Sequence, residues 1–380
     1  MSGLAFDLTG AEVLRPDGLD RGTLSFADGV IADAPVGRAV DLGGFLVLPG
    51  IVDLHGDGFE RHLAPRRGAM TDMGEGIVAT EAELAANGIT TGVLAQFLSW
   101  EGGLRGGAHA EGVFAAIREV RGALATTLLP QLRLETHLLE EYATLPERLI
   151  DWGVEFVVFN DHLPHDRLAA GRRPPSLTGQ ALKAGRSPEA HLALLQELHA
   201  RGPEVPAALD ALCGRLAAQG VRMGSHDDHT AEDRAAWAAR GATIAEFPET
   251  EVAARAARAD GGGVVLGAPN VVRGGSHKGN ASARALVAQG LCDALASDYH
   301  YPSPRRAALA LAGEMGLAAA WALVSSGPAR LLGLDDRGSL TPGQRADIVV
   351  LEAATGRVAG TLAGGRFTHL GGDLAERFLG

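Results

Sequence analysis

The segment VDLHGDGFERHLAPRR, residues 52–67, closes an apolar run with a histidine and an aspartate two residues apart, then adds Arg61, His62, Arg66 and Arg67. On extended chain His55 and Asp57 share one face, and imidazole beside carboxylate is a donor pair suited to a divalent cation. Ligand-type residues close further apolar runs downstream: Glu135 with His137, Asp161 with His162, His226 with Asp227 and Asp228, Glu246, Asn270, and Asp298. Singly, each reads as a hydrogen-bonded loop or capping residue. Their recurrence at the ends of successive runs points to a shared site. His55, Asp57, Glu135, His162, His226 and Asp298 are therefore expected to hold one or two divalent ions, and mixed nitrogen and oxygen donors suit Zn or Mn. Asp298 and His226 are also the expected catalytic groups. The only lysines are Lys183 and Lys278, and neither ends a run. A bridging ligand is therefore expected to be the Glu135 carboxylate rather than a carboxylated lysine. Arg133, Glu135 and His137 alternate on one face, so His137 is a further candidate for the site.

Magnitudes favour a metal over side-chain chemistry alone. A bound dication lowers the pKa of water from about 15.7 to about 7, roughly 12 kcal/mol of hydroxide stabilisation. A single general base contributes about a hundred- to ten-thousandfold. Neither a Gly-x-Ser-x-Gly elbow nor a phosphate-binding P-loop occurs in the chain. A second stretch, GAPNVVRGGSHKGN, packs Asn270, Arg273, Ser276, His277, Lys278 and Asn280 among glycines. Backbone N–H groups and guanidinium forks of this kind converge on phosphate oxygens. Arg61, Arg66, Asn270, Arg273, Ser276 and His277 are accordingly the candidate substrate-binding residues.

The elements needed to position these groups are legible as eight apolar runs: FLVLPGIVDL, GITTGVLAQF, QLRLETHL, VEFVVFNDH, VRMGSHDD, ATIAEFP, GVVLGAPN and CDALASDY. Helical stretches separate them, which predicts an α/β chain with a closed (β/α)8 barrel over residues 48–335, its chemistry at the strand ends. Residues 1–47 and 336–380 read as short strands, including an Asp-Gly hairpin in LSFADGVIADAP, and are expected to form a small β-sandwich from both termini.

Composition limits the partners. The chain has 380 residues, 46% of them hydrophobic, and a net charge of −12. Such a charge repels nucleic acid as a whole, so any polyanion must be received by a local cationic cluster. No apolar run is long enough to span a bilayer and no secretory leader is apparent, so a cytoplasmic protein with no membrane partner is expected. Cys213 and Cys292 lack paired spacing and are expected in the core. A homo-oligomer is compatible with all of this.

The blocks LPGIVDLHGDGFERHLAPR, SHDDHT, IAEFPET, GAPNVVRGGSHKGN and LASDYHYPS, in this order, resemble the diphosphatases of the carbon–phosphorus lyase pathway within the amidohydrolase superfamily. The tail GPARLLGLDDRGSLTPGQRADIVVL is similar to the superfamily's return to its small sandwich. The resemblance covers most of the chain and implies a phosphorylated sugar substrate, alpha-D-ribose 1-methylphosphonate 5-triphosphate. It implies hydrolysis between the α and β phosphates, with metal-bound hydroxide attacking the α-phosphorus and Asp298 orienting it or taking its proton. An amide-bond hydrolase or deaminase of the same superfamily is the alternative, and a barrel retained as a non-catalytic module is a third reading. The chain departs from the family pattern at two points: Gly56-Asp57-Gly58-Phe59 replaces a Thr-Asp-Asn-Leu type of sequence, and Tyr299-His300-Tyr301 follows Asp298.

Overall fold

A computed structural model describes residues 3–64, 72–274 and 281–380. Eight parallel strands follow one another in chain order within one sheet. They are β1 (Ile51–Gly56), β2 (Ile89–Leu98), β3 (Thr127–Glu135), β4 (Phe156–Asn160), β5 (Arg222–His226), β6 (Ile244–Glu246), β7 (Gly263–Gly267) and β8 (Ala294–Ala296). Most residues in these strands are buried, as expected for parallel strands covered on both faces by crossover helices. The helices begin with recognisable caps. Asp72 accepts from the backbone of Gly74 and Glu75 ahead of Met73–Ala86, and Thr230 and Asp233 form a reciprocal capping box ahead of Ala231–Ala239.

By its internal contacts the chain divides into two compact units: Met1–Leu94 with Glu119–Leu129 and Gly263–Gly380, and Ala95–Arg118 with Pro130–Gly262. In the first unit, β7 and β8 run parallel with Gly267 opposite Ala296, and an isolated bridge joins Gly56 at the end of β1 to Asp298 just beyond β8. In the second, register places Glu135 of β3 opposite Asn160 of β4, and His226 of β5 opposite Glu246 of β6. Within each unit, neighbouring strand ends that carry polar residues are thereby held level.

The apolar run FLVLPGIVDL forms two strands rather than one. Phe45–Pro49 pairs antiparallel with Ile348–Glu352 and parallel with Glu12–Arg15, in a six-stranded sheet that also contains Val358–Ala363 and Arg366–Leu370. Gly50 ends that pairing and Ile51 begins β1. A Cβ on Gly50 would lie 2.4–3.0 Å from the Thr90 side chain, so the crossing from one sheet to the next has room for glycine only. A separate four-stranded sheet contains Ala5–Thr9, Leu24–Ala27, Val30–Ala32 and Arg38–Asp41. Its hairpin turns on Asp28 and Gly29, both at positive φ, as an Asp-Gly turn requires. Leu8, Phe26, Val47, Ile348, Val350 and Leu362 unite the terminal strands in one apolar core. The terminal helix Gly372–Leu379 packs Leu374 and Phe378 into that core and carried no sequence signal strong enough to be expected.

Candidate metal centre

The β1–β8 edge is built by backbone pairing. The Asp298 amide donates to the His55 carbonyl at 3.0 Å and the Asp57 amide donates to the Asp298 carbonyl at 2.9 Å. These reciprocal bonds bring three expected site residues together from two distant parts of the chain. Asp298 adopts φ 55°, a left-handed conformation that aspartate tolerates better than most side chains do. Asp227 and Phe247, directly after β5 and β6, share this conformation. Of the four non-glycine residues at positive φ among those described, three therefore stand at barrel strand ends, and the fourth is the hairpin Asp28. Strain of this kind concentrates where side chains must be aimed.

Below this edge, Asp53 is fully buried and accepts from the Ser297 amide at 2.8 Å and from its hydroxyl at 2.5 Å. Burial pushes the Asp53 carboxyl up to about 6, against the pull of the Ser297 hydrogen bonds. The two departures from the family pattern meet here. A Cβ on Gly56 would lie 2.9 Å from Tyr301, Ser297 and Asp53 atoms alike, and one on Gly58 would lie 3.2 Å from Tyr301. Tyr301 is itself fully buried. The glycines after His55 and the tyrosine after Asp298 thus fit one another: the ring occupies the space that larger residues would need.

In the second unit Glu135 is the hub. Its buried carboxylate accepts from Trp100 Nε1 at 3.2 Å and from the His162 amide at 3.1 Å, and it meets His162 Nδ1 at 2.5 Å. Burial lowers the proton affinity of His162, but the hydrogen bond and charge of Glu135 outweigh it and hold the ring above the ordinary imidazole value. The His162 and His226 rings lie 6.2 Å apart, edge to face, and Phe247 closes the other side of His226. Arg133 donates to His226 Nε2 at 2.9 Å and to Asn160 Oδ1 at 3.1 Å, with its guanidinium 4.0 Å over the Phe97 ring. In this arrangement His226 Nε2 accepts from Arg133 and Nδ1 faces Asp227 Oδ1 at 3.1 Å, so an ion bound to His226 would take the place of one of these two contacts. His162, His226 and Asp227 each offer a ligand atom within 4.8 Å of the others. Two imidazoles and a carboxylate at this spacing, with Glu135 behind His162, are a donor set that could hold a divalent ion.

Other candidates are engaged by neighbouring side chains. His137 turns toward Asp161 and His165 rather than toward Glu135 and His162. Asp228 is a buried structural group, bonded to Ser225 and Arg234. Glu246 is fully buried and accepts from Gln131 at 2.7 Å. Arg61 pairs with Glu83, donates to the Tyr299 carbonyl at 3.2 Å and lies over the Tyr301 ring. His62 shares the same glutamate at 2.5 Å. Asn270 and Arg273 sit on the short helix Ala268–Arg273 and are joined at 2.8 Å through Asn270 Oδ1. Arg66, Ser276 and His277 lie outside the described residues. Sequence reasoning did not single out Trp100, which carries no local signal, or Arg133 as a site cation, although its two-residue spacing from Glu135 was visible.

Comparison with known proteins now adds a decisive observation. Over 334 residues the chain is 35% identical to the alpha-D-ribose 1-methylphosphonate 5-triphosphate diphosphatase of Escherichia coli strain K12, covering 82% of this chain and 85% of that one. Residues 199–368 match the pattern of the amidohydrolase family. The chain belongs to the amidohydrolase family. Solved structures bear out the fold that such membership entails. One from Bifidobacterium longum is 17% identical with a TM-score of 0.64, covering 100% of this chain and 99% of that one. An N-acyl-D-glutamate deacylase from Bordetella bronchiseptica, complexed with zinc and a phosphonate inhibitor, is 16% identical with a TM-score of 0.58 and covers 96% of each. This amidohydrolase is thus an α/β protein with a (β/α)8 barrel and a small β-sandwich built from both termini. It is an enzyme of a family of metal-dependent hydrolases. Among the described residues no helix is long and apolar enough to cross a membrane.

Proposed function

We propose that the protein hydrolyses alpha-D-ribose 1-methylphosphonate 5-triphosphate to the 5-phosphate and diphosphate, as a step in phosphonate utilisation. The observation that carries this reading is the 35% identity, across most of both chains, to a relative with that activity. We assign residues 48–335 to the catalytic barrel and residues 1–47 with 336–380 to the small sandwich. The proposed ligands for one or two Zn or Mn ions are His55, Asp57, Glu135, His162, His226 and Asp298, with Asp227 added on the strength of its place beside His226. When bound, such an ion lowers the pKa of water and offsets charge on phosphoryl oxygens.

The chain's own groups do the rest. Asp298, fixed by its backbone bonds to His55 and Asp57, orients the attacking water and takes its proton. The water oxygen adds to the α-phosphorus, the bond from that phosphorus to the bridging oxygen breaks, and diphosphate leaves with that oxygen. Glu135 holds His162 in one orientation and Arg133 does the same for His226. Asn270, Arg273, Ser276, His277, Arg61 and Arg66 are assigned to the phosphate and phosphonate oxygens, where guanidinium forks neutralise charge that grows during transfer. We place the enzyme in the cytoplasm, acting on a small phosphorylated sugar with neither nucleic acid nor membrane as partner.

The test is diphosphate release by the purified protein loaded with Zn or Mn, comparing the ribose triphosphate with ATP and with an N-acetylated amine. Fast release from the sugar triphosphate, abolished in Asp298→Asn, is the expected result. In Arg273→Ala, kcat/KM should fall roughly 10- to 150-fold, the loss of one charge-assisted hydrogen bond. Turnover of the amide with no diphosphate release under any metal would overturn the assignment.

A further inference from the structure

The second unit contains another cluster of ligand-type side chains, which the proposed catalysis does not use. His137 leaves the turn after β3, Asp161 follows β4, and His165 opens the short helix His165–Ala169. His165 Nε2 lies 3.0 Å from Asp161 Oδ2 and 3.2 Å from Oδ1, and His137 Nδ1 lies 3.6 Å from Asp161 Oδ1. One ligand atom from each of the three residues falls within 4.8 Å of the others. We propose that His137, Asp161 and His165 form a second divalent-metal site of the zinc class, separate from the Glu135, His162 and His226 centre.

Three features support the assignment. The first is spacing. Tetrahedral zinc with bonds of about 2.0–2.1 Å sets neighbouring ligand atoms about 3.3–3.4 Å apart, and the observed separations of 3.0, 3.2 and 3.6 Å bracket that edge. The second is support from behind. His165 Nδ1 lies 2.8 Å from His199 Nδ1, on the helix Pro188–Ala200. A metal on Nε2 places the proton on Nδ1, and His199 is there to accept it, as the outer partner of a ligating histidine does. Asp161 is likewise oriented, its Oδ1 accepting from the Leu163 amide at 3.2 Å, and the turn that carries His137 is held by Tyr142 donating to the Thr136 carbonyl at 2.6 Å. The third is access: His137 is 5% exposed in its side chain, whereas Asp161 is 42% exposed, so a pre-formed floor opens to solvent on one side. Alternation of neighbours keeps the two clusters apart. Glu135 engages Trp100 and His162, while His137, two residues on, engages Asp161 and His165. An ion there would clamp the turn after β3, the segment after β4 and the helices at His165 and His199.

Counting metal tests this without reference to turnover. The full-length protein is saturated with zinc, dialysed and analysed for zinc per chain, beside His165→Asn and Glu135→Gln. The expected result is one fewer zinc in His165→Asn than in wild type, with diphosphate release within about twofold and, in separately cobalt-loaded protein, absorption from the remaining centre unchanged. Glu135→Gln should lose a different equivalent, and the two losses should add. Equal zinc content in wild type and His165→Asn would overturn the proposal. If His165→Asn proves misfolded by circular dichroism, His199→Asn decides: it keeps all three ligands, and zinc affinity at one site should drop about 10- to 100-fold. No change in any zinc affinity would overturn it equally.

Discussion

The end of β5 and the β1–β8 edge use the same device with one difference. In each, a serine directly before a proposed ligand donates its hydroxyl to a buried carboxylate: Ser225 to Asp228 at 2.6 Å, and Ser297 to Asp53 at 2.5 Å. At β5 a cation completes the arrangement. Arg234, 1% exposed, reaches Asp228 at 3.1 Å and the Ala242 carbonyl at 2.9 Å. At the β1–β8 edge Asp53 accepts from the Ser297 hydroxyl and amide, and burial holds its carboxyl up at about 6. One edge therefore depends on a full ion pair taken out of water, the other on hydrogen bonds to a carboxyl that gives up its charge more readily. Removing one partner should have unequal consequences.

The largest effect is expected at β5. Arg234→Met leaves Asp228 buried without its cation and should cost about 3–5 kcal/mol of stability, read as a shift in the urea midpoint at constant slope. Asp53→Asn is the matched change at the other edge. It keeps an acceptor for the Ser297 amide and removes a charge that burial already disfavours, so a loss of about 1–3 kcal/mol is expected. Equal losses in the two variants would show that Arg234 does not distinguish the two anchors.

How legible this was in the sequence depended on whether a signal was local. The Asp-Gly hairpin at Asp28 and Gly29 was readable because turn chemistry is fixed by two residues. The eight runs and the terminal strands were readable because buried parallel strands are continuously apolar. The split of FLVLPGIVDL at Gly50 was not, since the need for glycine there comes from Thr90, forty residues away in the chain. Likewise, the glycines at 56 and 58 looked like a loss of family pattern until Tyr301 was seen to fill the space beside them. The sequence also presents Asp227 and Asp228 as equivalent ligand types beside His226. Only tertiary contact separates them, because the residue that claims Asp228 is Arg234, six residues further on in the helix that follows. For His137 the strand alternation does not hold: β3 ends at Glu135, two residues earlier, and beyond it the side chain no longer follows the two-residue period.

The smallest effect on stability is expected at Asp227, where the contrast with its neighbour is sharpest. Asp227 is 33% exposed in its side chain, against 2% for Asp228, and it sits at φ 60°. Asparagine is among the few residues that adopt this left-handed conformation readily, so Asp227→Asn should leave the backbone unstrained. Stability should change by less than about 0.5 kcal/mol, as at a surface position outside the packed core. Metal affinity should move instead. The substitution removes a carboxylate 3.1 Å from His226 Nδ1, together with its charge, in a group of three donors. A fall of about tenfold or more in zinc affinity is expected, the scale of losing a partner that orients a ligating histidine, measured by competition with a chromophoric chelator. Unchanged affinity would place Asp227 with Asp228 as a structural residue and leave His226 to be oriented by Arg133 alone among the groups considered for that role.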